Sequence, residues 1–144
     1  AETVYATASA LTDPTIATVA NDADTTAVTL RTTSGKLAQI HTSRRAAYGY
    51  DQRFEVLGSD GMLQAGNHAP SEVRQWDASG IRADKPEAFF LQRYAAAYRL
   101  EIEHFFECLQ TGAAFRTTVH DGVKAQILAD AAAESAASGQ PVKL

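Results

Sequence analysis

Hydrophobic and polar positions change rhythm once along this chain. Over residues 1–83 they alternate with a period near two, in short segments interrupted by turn residues at spacings of about eight to twelve, the signature of a strand meander. Residues 4–8 open the series. Residues 21–24 form a polar break expected to be a mobile loop, and residues 27–31 resume the alternation with Val28 and Leu30. Ser34-Gly35 predicts a tight hairpin, because glycine accepts the positive φ such turns require. Strands are then expected over 36–45, 52–57, 62–65, 73–76 and 81–83, with further hairpin turns at Ser59-Asp60-Gly61 and Ser79-Gly80. Strands joined by turns this short must pair antiparallel, since a parallel crossover needs a dozen or more residues.

Beyond residue 83 the period becomes helical. Pro86 and Glu87 suit a first helical turn, and Phe90, Tyr94, Tyr98, Ile102, Phe105, Phe106 and Leu109 recur at spacings of three and four. A helix over 87–110 would run about 36 Å and end at Thr111-Gly112. Its aromatic stripe reads as core. Thr118-x-x-Asp121 resembles a capping box that starts a second helix. That helix has a thin apolar stripe of Val123, Ile127, Ala131 and Ser135, which predicts close packing on its neighbour. Gly139 and Pro141 stop it, leaving residues 142–144 as a short final strand. The expected fold is α+β, an open, mainly antiparallel sheet with helices packed on one face.

Composition narrows the function. Hydrophobic residues make up 45% of 144, but 28 of them are alanine, enough for one modest core and too few to bury a sheet on both faces. Thirteen Lys and Arg against seventeen Asp and Glu give a net charge of −4 without a basic run, which argues against a nucleic-acid partner. No apolar run approaches the length of a membrane span, so no membrane partner is expected. The single cysteine, Cys108, forms no internal disulfide and fits a reducing, cytoplasmic setting as a small core or boundary residue. His41, His68, His104 and His120 show no metal-ligand spacing, so no metal site is expected. His41 carries more interest than the others, on a strand near Arg44, Arg45 and Tyr48. There is no nucleophile elbow. The glycine pair of Gly58-Ser59-Asp60-Gly61 joins two strands, so no dinucleotide cradle is expected and the chain is expected to bind no cofactor. Lys85, in Asp84-Lys85-Pro86, lies in a polar junction where a solvated lysine is the default.

Two aromatic stretches remain. In residues 43–53, Tyr48 and Tyr50 flank Gly49, with arginines before and Asp51 after. Tyrosine offers an apolar face and a hydroxyl that donates and accepts, the pairing that a sugar ring or cyclitol needs. The same residues also read as sheet-surface aromatics beside solvated charge pairs, and the residues alone leave both readings open. In the second stretch, residues 89–98, Tyr98 stands out because a polar tip on that helix face must find a partner.

These stretches carry a resemblance. SRRAAYGYDQRFEVLGSDGML at 43–63, FFLQRYAAAYRLEIEHFF at 89–106, DGVKAQILADAA at 121–132 and VYATASALTDP at 4–14 are similar to the C-terminal domain of myo-inositol dehydrogenases, in the glucose–fructose oxidoreductase-like family. The resemblance spans nearly the whole chain in order. It implies that residues 1–144 are a C-terminal substrate and oligomerisation domain, the NAD-binding N-terminal Rossmann domain lying outside them. It implies NAD as cofactor, a cyclitol or sugar as substrate, and a homo-oligomer formed through the open sheet face. The family's catalytic lysine, in a Glu-Lys-Pro motif, and its Asp-x-x-x-His pair have no counterpart here, so no catalytic residue is assigned; Lys85 matches by letters only. Tyr50 and Tyr98 resemble tyrosines that contact the polyol. His41-Thr42 departs from the asparagine-containing pair expected in close relatives, which bears on the substrate's hydroxyl pattern. The function expected is oxidation of myo-inositol to a keto-inositol, with the isolated domain inactive. The alternatives are a same-family dehydrogenase for another sugar or cyclitol and a non-enzymatic dimerisation or binding module.

Overall fold

In chain order the computed structural model, which describes residues 1–144, contains β1 (Thr3–Ser9), α1 (Thr15–Val19), β2 (Thr25–Arg31), β3 (Leu37–Ser43), β4 (Phe54–Gly58), β5 (Gly61–Ala65), β6 (Arg74–Asp77), β7 (Gly80–Ala83), α2 (Phe90–Arg93), α3 (Ala95–Thr111), α4 (Val119–Ser138) and β8 (Val142–Lys143). They fall into two units, residues 1–45 with 116–144, and residues 46–115. Every strand pair is antiparallel, as the short turns require. The α+β expectation holds.

The first unit is a four-stranded sheet in the order β3-β2-β1-β8. Register places Val4 opposite Leu30, Ala6 opposite Val28 and Val28 opposite Ile40, so one face collects the apolar side chains. Against it packs α4, whose Ala131 and Ser135 are buried together with Val4 and Ala6 of β1. Their small size lets helix and strand approach closely. Ser135 stitches the contact: Ala6 N–H donates to its Oγ at 2.9 Å, and that hydroxyl donates to the Gln140 carbonyl at 2.7 Å. The N-terminal half of the expected stripe, Val123 and Ile127, stays exposed. The Thr118–Asp121 capping box forms, and α4 ends at Gly139. On the opposite sheet face Tyr5, Thr29 and Gln39 lie side by side.

The polar break at 21–24 is organised, contrary to the mobile loop expected. Asp24 is buried, and its carboxylate accepts the N–H groups of Leu11, Thr12 and Asp13 at 2.8–2.9 Å and the Thr25 hydroxyl at 2.8 Å. These bonds, that from Asp13 foremost, hold its pKa at about 2 against the opposing effect of burial. The loop so closed carries α1, which the periodicity does not predict; Asp13 Oδ1 accepts Thr15 N–H at its start.

The second unit contains two hairpins, β4-β5 and β6-β7, and the helices α2 and α3. Both hairpins turn where the sequence predicts. The helix expected over 87–110 is corrected at two points. Residues 84–89 are irregular because the backbone of Glu87 is engaged elsewhere: its N–H donates to the His68 carbonyl at 3.0 Å and its carbonyl accepts Tyr50 N–H at 2.7 Å. A second break falls at Tyr94 (φ −107°, ψ 8°), which divides α2 from α3. The aromatic stripe expected as core is largely exposed: Ile102, Phe105, Phe106 and Leu109 are each about half accessible, and Cys108 is the buried residue of α3.

Candidate functional site

Tyr50 sits in the loop before β4, and its position is set by the residues on either side. Gly49 has φ +138°, and a Cβ there would lie 2.6 Å from the Pro86 carbonyl oxygen and 3.1 Å from that of Glu87. The missing side chain is what lets the two backbones meet and Tyr50 N–H reach Glu87. On the other side Asp51 gathers four donors. Its Oδ1 accepts Arg53 Nε and Asn67 Nδ2, both at 2.7 Å; its Oδ2 accepts Arg53 Nη2 at 2.9 Å and the Tyr48 hydroxyl in a short bond. Asn67 turns its own Oδ1 to Gln52 N–H at 2.8 Å, which closes the loop on itself.

The electrostatics follow from these contacts. The Arg53 guanidinium, then Tyr48 and Asn67, hold the Asp51 carboxyl well below the usual range, and Arg53 is raised in turn. The Asp51 carboxylate pushes the Tyr48 phenol up.

The structure brings Tyr50 and Tyr98 into one cluster through Tyr94, a residue that the sequence pattern assigns only to the helix stripe. Tyr50 and Tyr94 meet edge to face with centroids 5.7 Å apart, and Tyr94 meets Tyr98 likewise at 6.2 Å. The Tyr50 hydroxyl donates to that of Tyr94 over a long 3.4 Å, and this bond, followed by burial, raises the Tyr50 pKa. The break at Tyr94 lies between the two helical turns that present the ring. Arg93 stacks its guanidinium over Tyr94 at 5.8 Å. Glu87 Oε2 and Arg93 Nε are buried without a hydrogen-bond partner. The spacing of four between Tyr94 and Tyr98 is a signal available in the sequence; the approach of Tyr50, 44 residues earlier, is not.

Tyr98 is about half exposed and Tyr50 half-buried, so the cluster offers ring faces and hydroxyls together. This suits a ligand with apolar ring faces and several hydroxyl groups. A wide-mouthed depression of about 670 Å³ in the same unit is lined by Asn67, Glu72, Arg74, Asp84 and Glu87 among others. His68 also lines it, and none of the clustered tyrosines does. His41 lies on β3 of the first unit, where Arg44 pairs with Asp22 at 2.8 Å. Lys85 is exposed. The glycine-flanked Ser59-Asp60 turn joins β4 to β5, and every strand pair is antiparallel. These residues therefore do not form the strand-to-helix turn that seats a dinucleotide pyrophosphate.

An antiparallel sheet backed by a helix, together with a second unit of two hairpins and helices, defines an α+β domain. Residues 1–144 match the oxidoreductase family's C-terminal alpha/beta domain, and the chain belongs to that family, the glucose–fructose oxidoreductase and inositol dehydrogenase group. It is 42% identical over 141 residues to the inositol 2-dehydrogenase of Rhizobium meliloti, covering 98% of this chain and 42% of that protein. The myo-inositol 2-dehydrogenase of Thermotoga maritima is 41% identical over 143 residues, 99% of this chain and 42% of that protein. Among solved structures, a myo-inositol dehydrogenase from Corynebacterium glutamicum superposes with a TM-score of 0.92 at 43% identity, over 99% of this chain and 43% of that one. The chain thus spans about 42% of the length of the relatives it matches.

Proposed function

We propose that this chain is the substrate-binding and oligomerisation domain of an NAD-dependent oxidoreductase that oxidises myo-inositol to a keto-inositol. In that reaction a secondary ring alcohol becomes a ketone, its hydroxyl proton going to a base and its hydride to the nicotinamide. NAD belongs to a Rossmann domain outside residues 1–144, as do the acid–base residues, and the chain alone is inactive. The observation that carries the reading is the 42% identity to an inositol 2-dehydrogenase over 98% of the chain. A scyllo-inositol 2-dehydrogenase (NAD(+)) of Bacillus subtilis, 34% identical over 115 residues, supports NAD as the cofactor.

Within the domain, Tyr50 and Tyr98 hold the ring so that one C–H is aimed for transfer. A cyclitol offers alternating C–H faces and hydroxyls, which edge-to-face tyrosines can pack and satisfy. Tyr50→Phe in the full-length enzyme is expected to raise KM for myo-inositol about tenfold, the worth of one hydrogen bond to an uncharged hydroxyl. Unchanged kinetics would remove Tyr50 from the site. A homo-oligomer through the open face of the β3-β2-β1-β8 sheet completes the proposal, since Tyr5 and its threonine neighbours leave that face accessible.

The second reading keeps the fold and changes the polyol. It is favoured by the scyllo-inositol enzyme already mentioned and by a relative 30% identical over 118 residues, named inositol 2-dehydrogenase/D-chiro-inositol 3-dehydrogenase. A panel of cyclitol stereoisomers and aldoses on the full-length enzyme separates the two.

A further inference from the structure

We infer that Asp51 is a positioning residue that acts through Tyr50, and that the polyol does not touch it. The inference rests on the reading of Tyr50 as a polyol contact.

An ionised carboxylate offers about four lone-pair sites. All four are taken here: Arg53 Nε and Asn67 Nδ2 on Oδ1, Arg53 Nη2 and the Tyr48 hydroxyl on Oδ2. No acceptor capacity remains for a substrate hydroxyl or a proton in transfer. The depressed pKa agrees, since a group so held makes a poor general base near neutral pH.

The four bonds fix backbone. Asp51 follows Tyr50 directly, Arg53 leads into β4, and Asn67 follows β5. Asn67 returns a bond to Gln52 N–H, so the ends of the β4-β5 hairpin and the loop carrying Tyr50 are tied at one carboxylate. On the other side Gly49 lies against the Pro86 backbone and Tyr50 N–H bonds Glu87. Tyr50 is thereby held at both neighbours while its own side chain reaches Tyr94. Removing the carboxylate frees one side and lets the ring drift, and misplacement of about 1 Å can cost a factor of about 100.

The test is a double-mutant cycle in the full-length enzyme, with myo-inositol and NAD as substrates. Asp51→Asn is nearly isosteric but sets an amide donor against a saturated ring of donors. It is expected to raise KM about tenfold and, because the ring it positions aims the reacting C–H, to lower kcat by up to about the same factor. In a Tyr50→Phe background the same change is expected to move KM less than about twofold, because the two residues act as one unit. A merely structural Asp51 would lower thermal stability and give KM effects that multiply. Should Asp51→Asn fail to fold, Asn67→Ala and Tyr48→Phe each remove one donor and enter the same cycle with the same expected non-additivity. If Tyr50→Phe raises KM while the Asp51-cluster changes do not, or their effects multiply, the positioning role is overturned and the polyol reading stands. If Tyr50→Phe itself leaves KM unchanged, the polyol reading fails and takes this inference with it.

Discussion

Replacing Gly49 by alanine tests whether the loop carrying Tyr50 is held by close backbone approach. The added Cβ would stand 2.6 Å from the Pro86 carbonyl oxygen and 3.1 Å from both the Glu87 carbonyl oxygen and Pro86 Cβ. Two of the three obstacles are backbone, so no rotamer change can relieve them. Alanine also inherits φ +138°, at a cost of about 1–3 kcal/mol. Gly80 supplies the control, since it has φ +130° and a Cβ added there would meet nothing within 4 Å. Gly80→Ala should therefore show the dihedral cost alone. Gly49→Ala should add overpacking of about 1–3 kcal/mol and the loss of the 2.7 Å Tyr50–Glu87 bond, about 0.5–1.5 kcal/mol. The excess of one variant over the other is expected at about 2–4 kcal/mol. Trp76 is the single tryptophan and lies on β6 in the same unit as both glycines, so its fluorescence in a urea titration reads the relevant transition. Equal losses in the two variants, within about 0.5 kcal/mol, would show that close approach is not why glycine stands at position 49.

Two further outcomes concern the first unit. Ser135→Ala should cost about 1–3 kcal/mol in denaturant unfolding, because Ala6 N–H is left buried without an acceptor; a loss under about 0.5 kcal/mol would mean that water replaces the hydroxyl. Asp24 should make this unit acid-sensitive. Its folded pKa of about 2 lies below the 3.8 of the free side chain, so the unfolded chain takes up the proton first. The stabilisation is complete above about pH 5 and is lost as pH falls toward 2. Asp24→Asn should flatten the slope of the urea midpoint across that window, and an unchanged slope would assign the acid sensitivity to other groups.

What the sequence discloses and what it hides divide by distance along the chain. Turn chemistry is local, so the hairpins at Ser34-Gly35, Ser59-Asp60-Gly61 and Ser79-Gly80 and the Thr118–Asp121 capping box are all readable. Cys108 occupies the buried position expected of it. Pro86 and Glu87 give an equally local helix-start signal, which fails because Glu87 spends its backbone groups on His68 and Tyr50, 19 and 37 residues away. Asp24 likewise collects N–H groups from 11–13 residues back, and no polar run announces that. The aromatic period of α3 holds but its expected burial does not, since periodicity fixes which residues share a face and says nothing of what covers it. At the candidate site, Tyr50 and Tyr98 stand out in the sequence, whereas the link between them, Tyr94, reads there as core.

The tyrosine cluster has the electrostatic character of a holder. The Tyr50 phenol is raised by its bond to Tyr94 and the Tyr48 phenol by Asp51; the Asp51 carboxyl is lowered and Arg53 raised. Each of these four shifts carries its group further from neutrality. Efficient general acid–base catalysis asks for the reverse, a pKa brought toward the working pH. An arrangement that fixes every charge instead gains constancy of shape: the donors and acceptors met by a bound ring stay the same across the physiological range. This supports the proposal that these tyrosines align the ring and leave the proton transfer to other groups. On the same proposal Asp51, with its acceptor sites filled by Arg53, Asn67 and Tyr48, serves geometry and takes no part in the chemistry.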